Sequence, residues 1–396
     1  MSKPEIRLKG FEGEWETGMF STYAKPYFVS NKFVHHQNLL SLSYGKIVQK
    51  DITANKGLLP ASFDTYQIVK KGIIVFRFTD LQNDHKSLRV GIAKEEGIIS
   101  PAYVCVECEN INPDFFYLQM HTYDMRKLFY SMGDGMRQTL SYNDVKDMPL
   151  YIPSLPEQKA IVEYFNVLEK EITTETENLT KLRQLKSASL ISMFPQNGES
   201  KPRVRFKGFE GEWEDVSFKD ITYLSGTKNR DNLPLESYSI SNEKGFVPQN
   251  EQFEQGGTMS NADKRFYYIV TPDSFAYNPA RINVGSIGYD DLDKDVIVSS
   301  LYVVFKTDEN TNNYFLNHWF KTPMFREMIE LYQEGGVRLY FFYDKLCQCH
   351  FRRPCLAEQE KIASFFTNLD KQISLQEQRL EKLKQIKAAC LDKMFV

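Results

Sequence analysis

Two stretches of the chain carry apolar residues at alternating steps of four and three. In the first, Ile161, Phe165, Leu168 and Ile172 lead on to Leu179 and Leu182; in the second, Ile362, Phe366, Leu369 and Ile373 lead on to Leu380 and Leu383. A repeat of 3.5 residues is the seam of a coiled coil, and it predicts helices over 155–194 and 356–395. Neither stretch contains Gly or Pro beyond Pro156, and "PQNGESKP" stops the first. A helix of ~38 residues spans about 57 Å, far more than an ordinary globular domain uses. Two rods that pair with each other are therefore preferred over helices that each pack on their own domain. Glu175 and Gln376 interrupt the seam at the same place in both copies. A polar residue there costs stability but fixes register.

The pattern between the rods is different. "GIIVFRF", "YVCVE", "FYYIVT" and "SSLYVVFK" read as strands, whereas 114–132 and 313–333 read as helices. The middles, 17–150 and 215–354, are each long enough for a core of their own. Both are expected to be mixed α/β.

The chain also repeats itself. "KPEIRLKGFEGEWE" at 3–16 and "KPRVRFKGFEGEWE" at 201–214 agree at 11 of 14 positions. The helical stretches 155–194 and 356–395 agree at 17 of 40 positions without a gap. The offset is 198 residues at the first match and 201 at the second, so a unit of about 200 residues occurs twice. Between the matched ends only echoes survive, such as "IISPAYVCVE" against "IVSSLYVVFK" and "GDGMRQTLSYNDV" against "EGGVRLYFFYDKL". The ends share one task and the middles perform two. The segments are 1–150, a first domain; 151–195, a spacer helix; 196–354, a second domain; and 355–396, a second spacer helix.

Composition narrows the classes. Of 396 residues, 42 % are apolar and 14 % aromatic, with 29 Phe and 22 Tyr, which favours packed strand-containing cores over disorder. No apolar run is long enough for a membrane helix. "MSKPEIRLKG" lacks the apolar stretch of an export signal, so a cytoplasmic location is expected. The net charge is −3 and the pI about 6.2. Residues 1–150 carry 18 basic and 17 acidic side chains; residues 203–354 carry 18 and 22. A solitary nucleic-acid binder is usually basic, so contact with nucleic acid would need local clusters or a partner that shares the phosphates. Cys105 and Cys108 have CxxC spacing, but strand alternation puts them on opposite faces. "CQCHFRRPC" lacks the well-spaced ligand pairs of a zinc site. No metal is expected, and the thiols are read as reduced.

Catalytic signatures are missing. There is no G-x-x-x-x-G-K-[ST], G-x-S-x-G, H-E-x-x-H or G-x-G-x-x-G. "AYNPARIN" begins like the Asn-Pro-Pro-aromatic motif of amino-methyltransferases, but Ala280 and Arg281 stand where the second Pro and the base-stacking aromatic belong. His35, His36, His85, His121, His318 and His350 form no nucleophile arrangement. No catalytic residue is assigned.

The repeated "KGFEGEWE", the "LPEQKAI" and "LAEQEKI" helix starts, and the paired turns Gly135/Arg137 and Gly336/Arg338 together resemble the specificity subunit of type I restriction-modification systems, over essentially the whole chain. The second copy departs from the usual "IPSLPEQ", having Arg352, Arg353, Pro354 and Cys355 before its helix. The resemblance implies two α/β target-recognition domains in pseudo-two-fold arrangement, joined and spaced by two long antiparallel coiled-coil helices. It implies a non-catalytic subunit that reads an asymmetric, bipartite DNA target, one half-site per domain, with an unspecified spacer of about half a helical turn. The partners it implies are double-stranded DNA, two modification (methyltransferase) subunits carrying S-adenosylmethionine, and two restriction subunits using ATP and Mg. No cofactor is expected in this chain. Base readers are Arg, Lys, Asn, Gln or Ser on loops that reach a groove. In the first domain the candidates are Arg77, Gln82, Lys86, Arg89, Arg137 and Gln138; in the second, Lys228, Asn229, Arg230, Asn278, Arg281, Asn283, Arg338 and Tyr340. Arg137 and Arg338, matched in both copies, are equally suited to bracing the fold. The alternatives are a tandem coiled-coil scaffold for protein partners without DNA recognition, and a self-sufficient DNA-modifying enzyme, which the missing motifs disfavour.

Overall fold

The computed structural model describes residues 3–52, 60, 62–79, 81, 88–132, 139–252 and 263–396. The chain divides into two units, Met1–Thr176 with Arg379–Val396, and Glu177–Gln378. The division runs through both long helices, Leu155–Ser192 and Leu356–Lys393. Each unit thus contains part of both rods, whereas the sequence segments gave one whole rod to each copy. No helix among the described residues is long and apolar enough to cross a membrane.

In the first unit the strands Ala24–Pro26, Val104–Cys108, Ile74–Phe76 and Val90–Ile92 form an antiparallel sheet in that order. Alternation gives the sheet two apolar faces. Ile74, Phe76 and Val106 pack with Phe115, Phe116 and Met120 of the helix Pro113–Met125. Val75 and Cys105 face the other way, toward Leu40, Val69 and Ile99 of a second layer. Cys108 joins the first of these faces and Cys105 the second, so the CxxC pair is split across the sheet. Burial pushes both thiols up to about 12. That second layer comprises the hairpin Leu40–Ser43/Lys46–Gln49 and the pair Gln67–Val69/Gly97–Ile99.

The second unit repeats this plan. Thr222–Leu224, Val303–Thr307, Phe275–Tyr277 and Ile287–Tyr289 form the first sheet in the same order. Thr227–Lys228, Tyr268–Val270, Val296–Val298, Ser237–Ser241 and Gly245–Pro248 form a five-stranded second one, antiparallel except where Ser237–Ser241 meets Val296–Val298. In the first unit that parallel contact is reduced to one bridge, Leu39 to Ile98. Both predicted domain helices are interrupted. Lys127, with φ 62°, ends the regular helix before a single 3-10 turn, Leu128–Ser131. Pro323 starts a new helix, Pro323–Tyr332, after Asn313–Trp319, because the residue before proline is held extended.

The repeated ends account for one another. Arg7 clamps Glu157 with two bonds of 2.7 and 2.8 Å, and Arg205 clamps Glu358 with two of 2.7 Å. Both carboxylates are buried. Gln158 and Gln359 each accept a bond of 2.8 Å from the backbone N–H of the asparagine that caps the domain helix, Asn112 or Asn312. Each also donates one of 2.9 Å to the carbonyl of the proline before its own helix, Pro153 or Pro354. The altered second copy therefore makes the same turn. The strand Glu16–Met19 pairs with Pro149–Ile152, as Glu214–Ser217 pairs with His350–Arg353.

The rods complete each unit reciprocally. Met394 and Phe395, from the end of the second rod, lie in the core of the first unit, where Phe395 meets Phe115 at 5.6 Å. Met193 and Phe194, from the end of the first rod, lie in the core of the second, where Phe194 meets Phe315 at 5.4 Å. Within the first unit the rods run antiparallel, with ion pairs Glu169–Lys387 and Glu175–Arg379; within the second they do so through Lys186–Asp370 and Arg183–Glu377. All twelve seam positions named above are buried or half-buried. Glu175, expected as an interruption, lies buried in the seam, and its carboxylate meets Arg379 at 2.9 Å.

Candidate nucleic-acid interface

The second unit shows most of the candidate surface. The strands Phe275–Tyr277 and Ile287–Tyr289 are joined by residues 278–286. Ile282 is buried and anchors a single 3-10 turn, Ile282–Val284, and Gly285 closes it with φ 91°. Arg281 and Asn283, on either side of Ile282, are exposed. Asn278 holds the turn, since its side-chain oxygen accepts from Ala280 N at 3.0 Å and its N–H donates to Ser286 O at 3.1 Å. A second loop is stitched alongside: Phe341 N donates to Pro279 O at 3.0 Å. Glu334 and Tyr340 exchange two backbone bonds of 2.9 and 2.8 Å and leave 335–339 as an exposed tip. Gly335 is required there, because a Cβ would sit 2.0 Å from Arg338 O. Arg338 is exposed on this tip, and Tyr340 stacks on Phe342 at 5.4 Å. Thus Asn278, Arg281, Asn283, Arg338 and Tyr340 belong to two adjoining loops.

A third loop, Ser241–Gly245, abuts the first: a Cβ on Gly285 would touch Asn242 at 3.4 Å. Sequence reasoning missed Asn242 and Lys244, although "SNEKG" between two strands is a turn signal. Strand polarity separates five aspartates from Arg281 in this hairpin, while Glu243 and Glu334 stand exposed near the tips. The Asn278–Ser286 loop lies at one end of its hairpin, and Asp273 and Asp290, followed by Asp291, Asp293 and Asp295, lie at the other.

One of the candidates in the second unit is corrected. Asn229 is buried, bonded through its side chain to both N–H and C=O of Leu233 at 2.8 and 3.1 Å, so it braces a loop and reads nothing. Lys228 is half-buried, donates to Phe266 O at 3.0 Å and lies 3.6 Å from the Tyr268 ring. Arg230, next along, is exposed.

In the first unit Arg89 is the clearest correction. It is 0 % exposed, donates to Tyr130 Oη at 3.0 Å and to the carbonyls of Arg77 and Thr79, and braces the base of the 77–89 connection. Asp124 accepts from its backbone N–H. A guanidinium enclosed in this way cannot reach a groove. Arg77 is half-buried, and its N–H donates to Arg89 O at 2.8 Å. Gln82, Lys86, Arg137 and Gln138, together with Gly135 of the matched turn, lie outside the described residues. The frame around them matches the second unit: Leu140 N donates to Phe78 O at 3.0 Å, as Phe341 N does to Pro279 O, each residue displaced by 201. The neighbouring turn Tyr44–Gly45 is tied on by Gly45 N to Leu88 O at 3.1 Å.

No group of three or more His, Cys, Asp or Glu residues suited to a metal occurs among the described residues. His121 is half-buried and His318 buried, and burial pushes them down to about 4 and about 3. They are neutral core histidines, remote in character from acid-base catalysts.

The family model described as "Type I restriction modification DNA specificity domain" matches twice, over residues 43–186 and 210–385. Among solved structures, the S subunit of a type I restriction-modification system from M. genitalium aligns over 100 % of this chain and 99 % of its own, with 13 % identity and a TM-score of 0.57. The HsdS subunit from Thermoanaerobacter tengcongensis aligns over 100 % and 99 %, with 16 % identity and a TM-score of 0.50. A chain from a study of complex assembly and conformational transition of the type I R-M system covers 99 % of each, with 15 % identity and a TM-score of 0.52. At these identities the likeness is one of fold.

Proposed function

The chain belongs to the type I restriction-modification DNA specificity family, and from that premise we propose that it reads a bipartite, asymmetric DNA target, one half-site per unit, and directs adenine methylation and DNA cleavage by partner subunits. The supporting observation is one frame bearing two sets of tips. The same clamp, cap and four-stranded sheet order recur in both units, while the loops at the matched strand ends differ in length and side chains. A shared frame with divergent tips is what two different half-sites require.

In this reading the subunit supplies the address and the partners supply the chemistry. Two modification subunits would bring S-adenosylmethionine, two restriction subunits ATP and Mg, and this chain neither. The paired rods would set the interval between half-sites. Arg281, Asn283 and Arg338 would contact bases or phosphates in one half-site. The complex would work in the cytoplasm, where its DNA lies.

Exchange of residues 17–150 for the matching segment of a relative, in the assembled complex, followed by genome-wide mapping of N6-methyladenine, tests the reading. One half of the methylated motif should change and the other should persist. A motif altered in both halves, or in neither, would overturn it.

A further inference from the structure

The 198-residue offset of the opening repeat extends beyond Trp15 and Trp213 to a second matched pair, Asn31 and Asn229. Both are buried. Asn31 N donates to Tyr66 O at 3.0 Å, and Asn229 N to Tyr267 O at 2.9 Å. Each side chain then braces the loop that follows it. Asn31 Oδ1 accepts from His36 N at 2.7 Å, and its amide donates to His36 O and Phe63 O at 3.3 Å. Asn229 bonds both backbone groups of Leu233. The brace is common and the lifted residues are not: Lys32, Phe33, Val34 and His35 in one unit, Arg230, Asp231 and Asn232 in the other.

Strand register places the first of these loops. Ser30 bridges Gln67, Gln67 pairs with Ile99, and Leu39 runs parallel to Ile98. The chain therefore leaves Ser30 at the end of the layer where the Tyr44–Gly45 turn lies, and that turn is bonded to the base of the 77–89 connection. At the tip, Phe33 is 85 % exposed, with Val34 exposed beside it. Lys32 Nζ stands 5.6 Å from the Phe33 ring centre, and His35 has φ 53°, a conformation L residues seldom adopt. An aromatic ring held in water on a braced, strained loop beside a cation has no role in the core. Such rings serve as apolar wedges or stacking surfaces against bases.

We infer that the Asn31-braced tip is a reading element of the first unit, in which Phe33 packs against bases of its half-site and Lys32 pairs with the adjoining phosphate. This rests on the DNA-recognition reading above, and it replaces Asn229's supposed reading role with a bracing role shared by both units.

The test uses the full chain assembled with its modification subunits and a duplex bearing the mapped motif. Phe33→Ala should weaken binding by roughly five- to a hundredfold and relax the methylated motif in one half only. Phe33→Tyr should retain both. Lys32→Ala should weaken binding to all sequences and lower the salt slope of log Kd by about one. The thermal midpoint should be unchanged in all three, since neither side chain is buried. Unchanged affinity and motif in Phe33→Ala would overturn the inference. So would a loss of assembly with the modification subunits while DNA binding by the assembled complex is intact, which would make the tip a protein-docking surface. If the exchange of residues 17–150 still alters one half-motif, only this inference fails; if that exchange alters nothing, the reading beneath it fails too.

Discussion

The two clamps and the two sets of tips have diverged to very different degrees. Arg7–Glu157 and Arg205–Glu358 agree to a tenth of an ångström and each arginine also bonds the carbonyl of the second glycine of its repeat, Gly13 or Gly211. Among the described residues, the loops at the far end share a backbone stitch, Leu140 to Phe78 and Phe341 to Pro279, and the asparagine brace of Asn31 and Asn229, but not the side chains these lift. A buried carboxylate without its cation is costly, so neither partner of the clamp can drift alone. An exposed tip bears no such penalty. The difference separates what the fold demands from what a target would select, without recourse to any other protein.

The strongest way to break the comparison is to remove one clamp. Arg205→Ala leaves Glu358 buried and unpaired and should destabilise the second unit by about 3 kcal/mol. Arg7→Ala should do the same to the first. Calorimetric unfolding of the full chain reads both. If the loss is well under about 1 kcal/mol, the clamp is not what preserves the repeat, and the repeated residues need another explanation. Glu358→Gln combined with Arg205→Ala should recover part of the loss, because the uncompensated charge is then gone.

A smaller effect comes from a position where the frames differ. At the hairpin end opposite the tips, Gly72 N bonds Ala93 O in the first unit, and Asp273 N bonds Asp290 O in the second. Ala93 suits its burial. Asp290 is equally buried, its Oδ1 accepts from Leu292 N at 3.1 Å, and its Oδ2 has no hydrogen-bond partner among the described residues. Burial raises this carboxyl from 3.8 to about 7, helped by Asp291, Asp273 and Asp295. The sign follows from proton binding. The folded chain keeps this proton up to about pH 7 and the unfolded chain releases it near pH 4. The contribution of Asp290 to stability therefore falls as pH rises between them. Asp290→Asn should gain about 1–2 kcal/mol at pH 8 and nothing at pH 4. A gain that does not grow with pH would show that Asp290 is paired in solution.

How much of this was legible in the sequence varies with the range of the interaction. The seam, the strands and the duplication are periodicities or identities, and a sequence displays both. The function of "EQ" in both helix starts was not legible, because Glu157 meets Arg7 across 150 positions and Gln158 meets Asn112 across 46. The same limit spoiled Arg89 and Asn229. Each looked like a polar loop residue, and each proved to be buried by carbonyls and rings that the chain brings from elsewhere. Phe33 is illegible for the opposite reason: sequence alone reads an apolar residue as core, and only the structure shows it exposed. Only the matched asparagine beneath it, at the offset of the opening repeat, marks it out.

The finest difference lies in the seam. Glu175 in the first rod corresponds to Gln376 in the second, and Arg379, which pairs with Glu175, corresponds to Asn178. The first unit therefore has a charged pair where the second carries amide residues. Arg379 is 61 % exposed at its side chain, so water screens the pair and its net contribution is small. Glu175→Gln should shift stability by no more than about 0.5 kcal/mol at low salt, and the shift should shrink as salt rises. Gln376→Glu should gain nothing, because Asn178 offers no charge to meet it. A destabilisation of several kcal/mol by Glu175→Gln, with partial restoration by Arg379→Gln, would mean instead that the pair fixes the register of the rods in the first unit. The two units would then differ in frame as well as in tips.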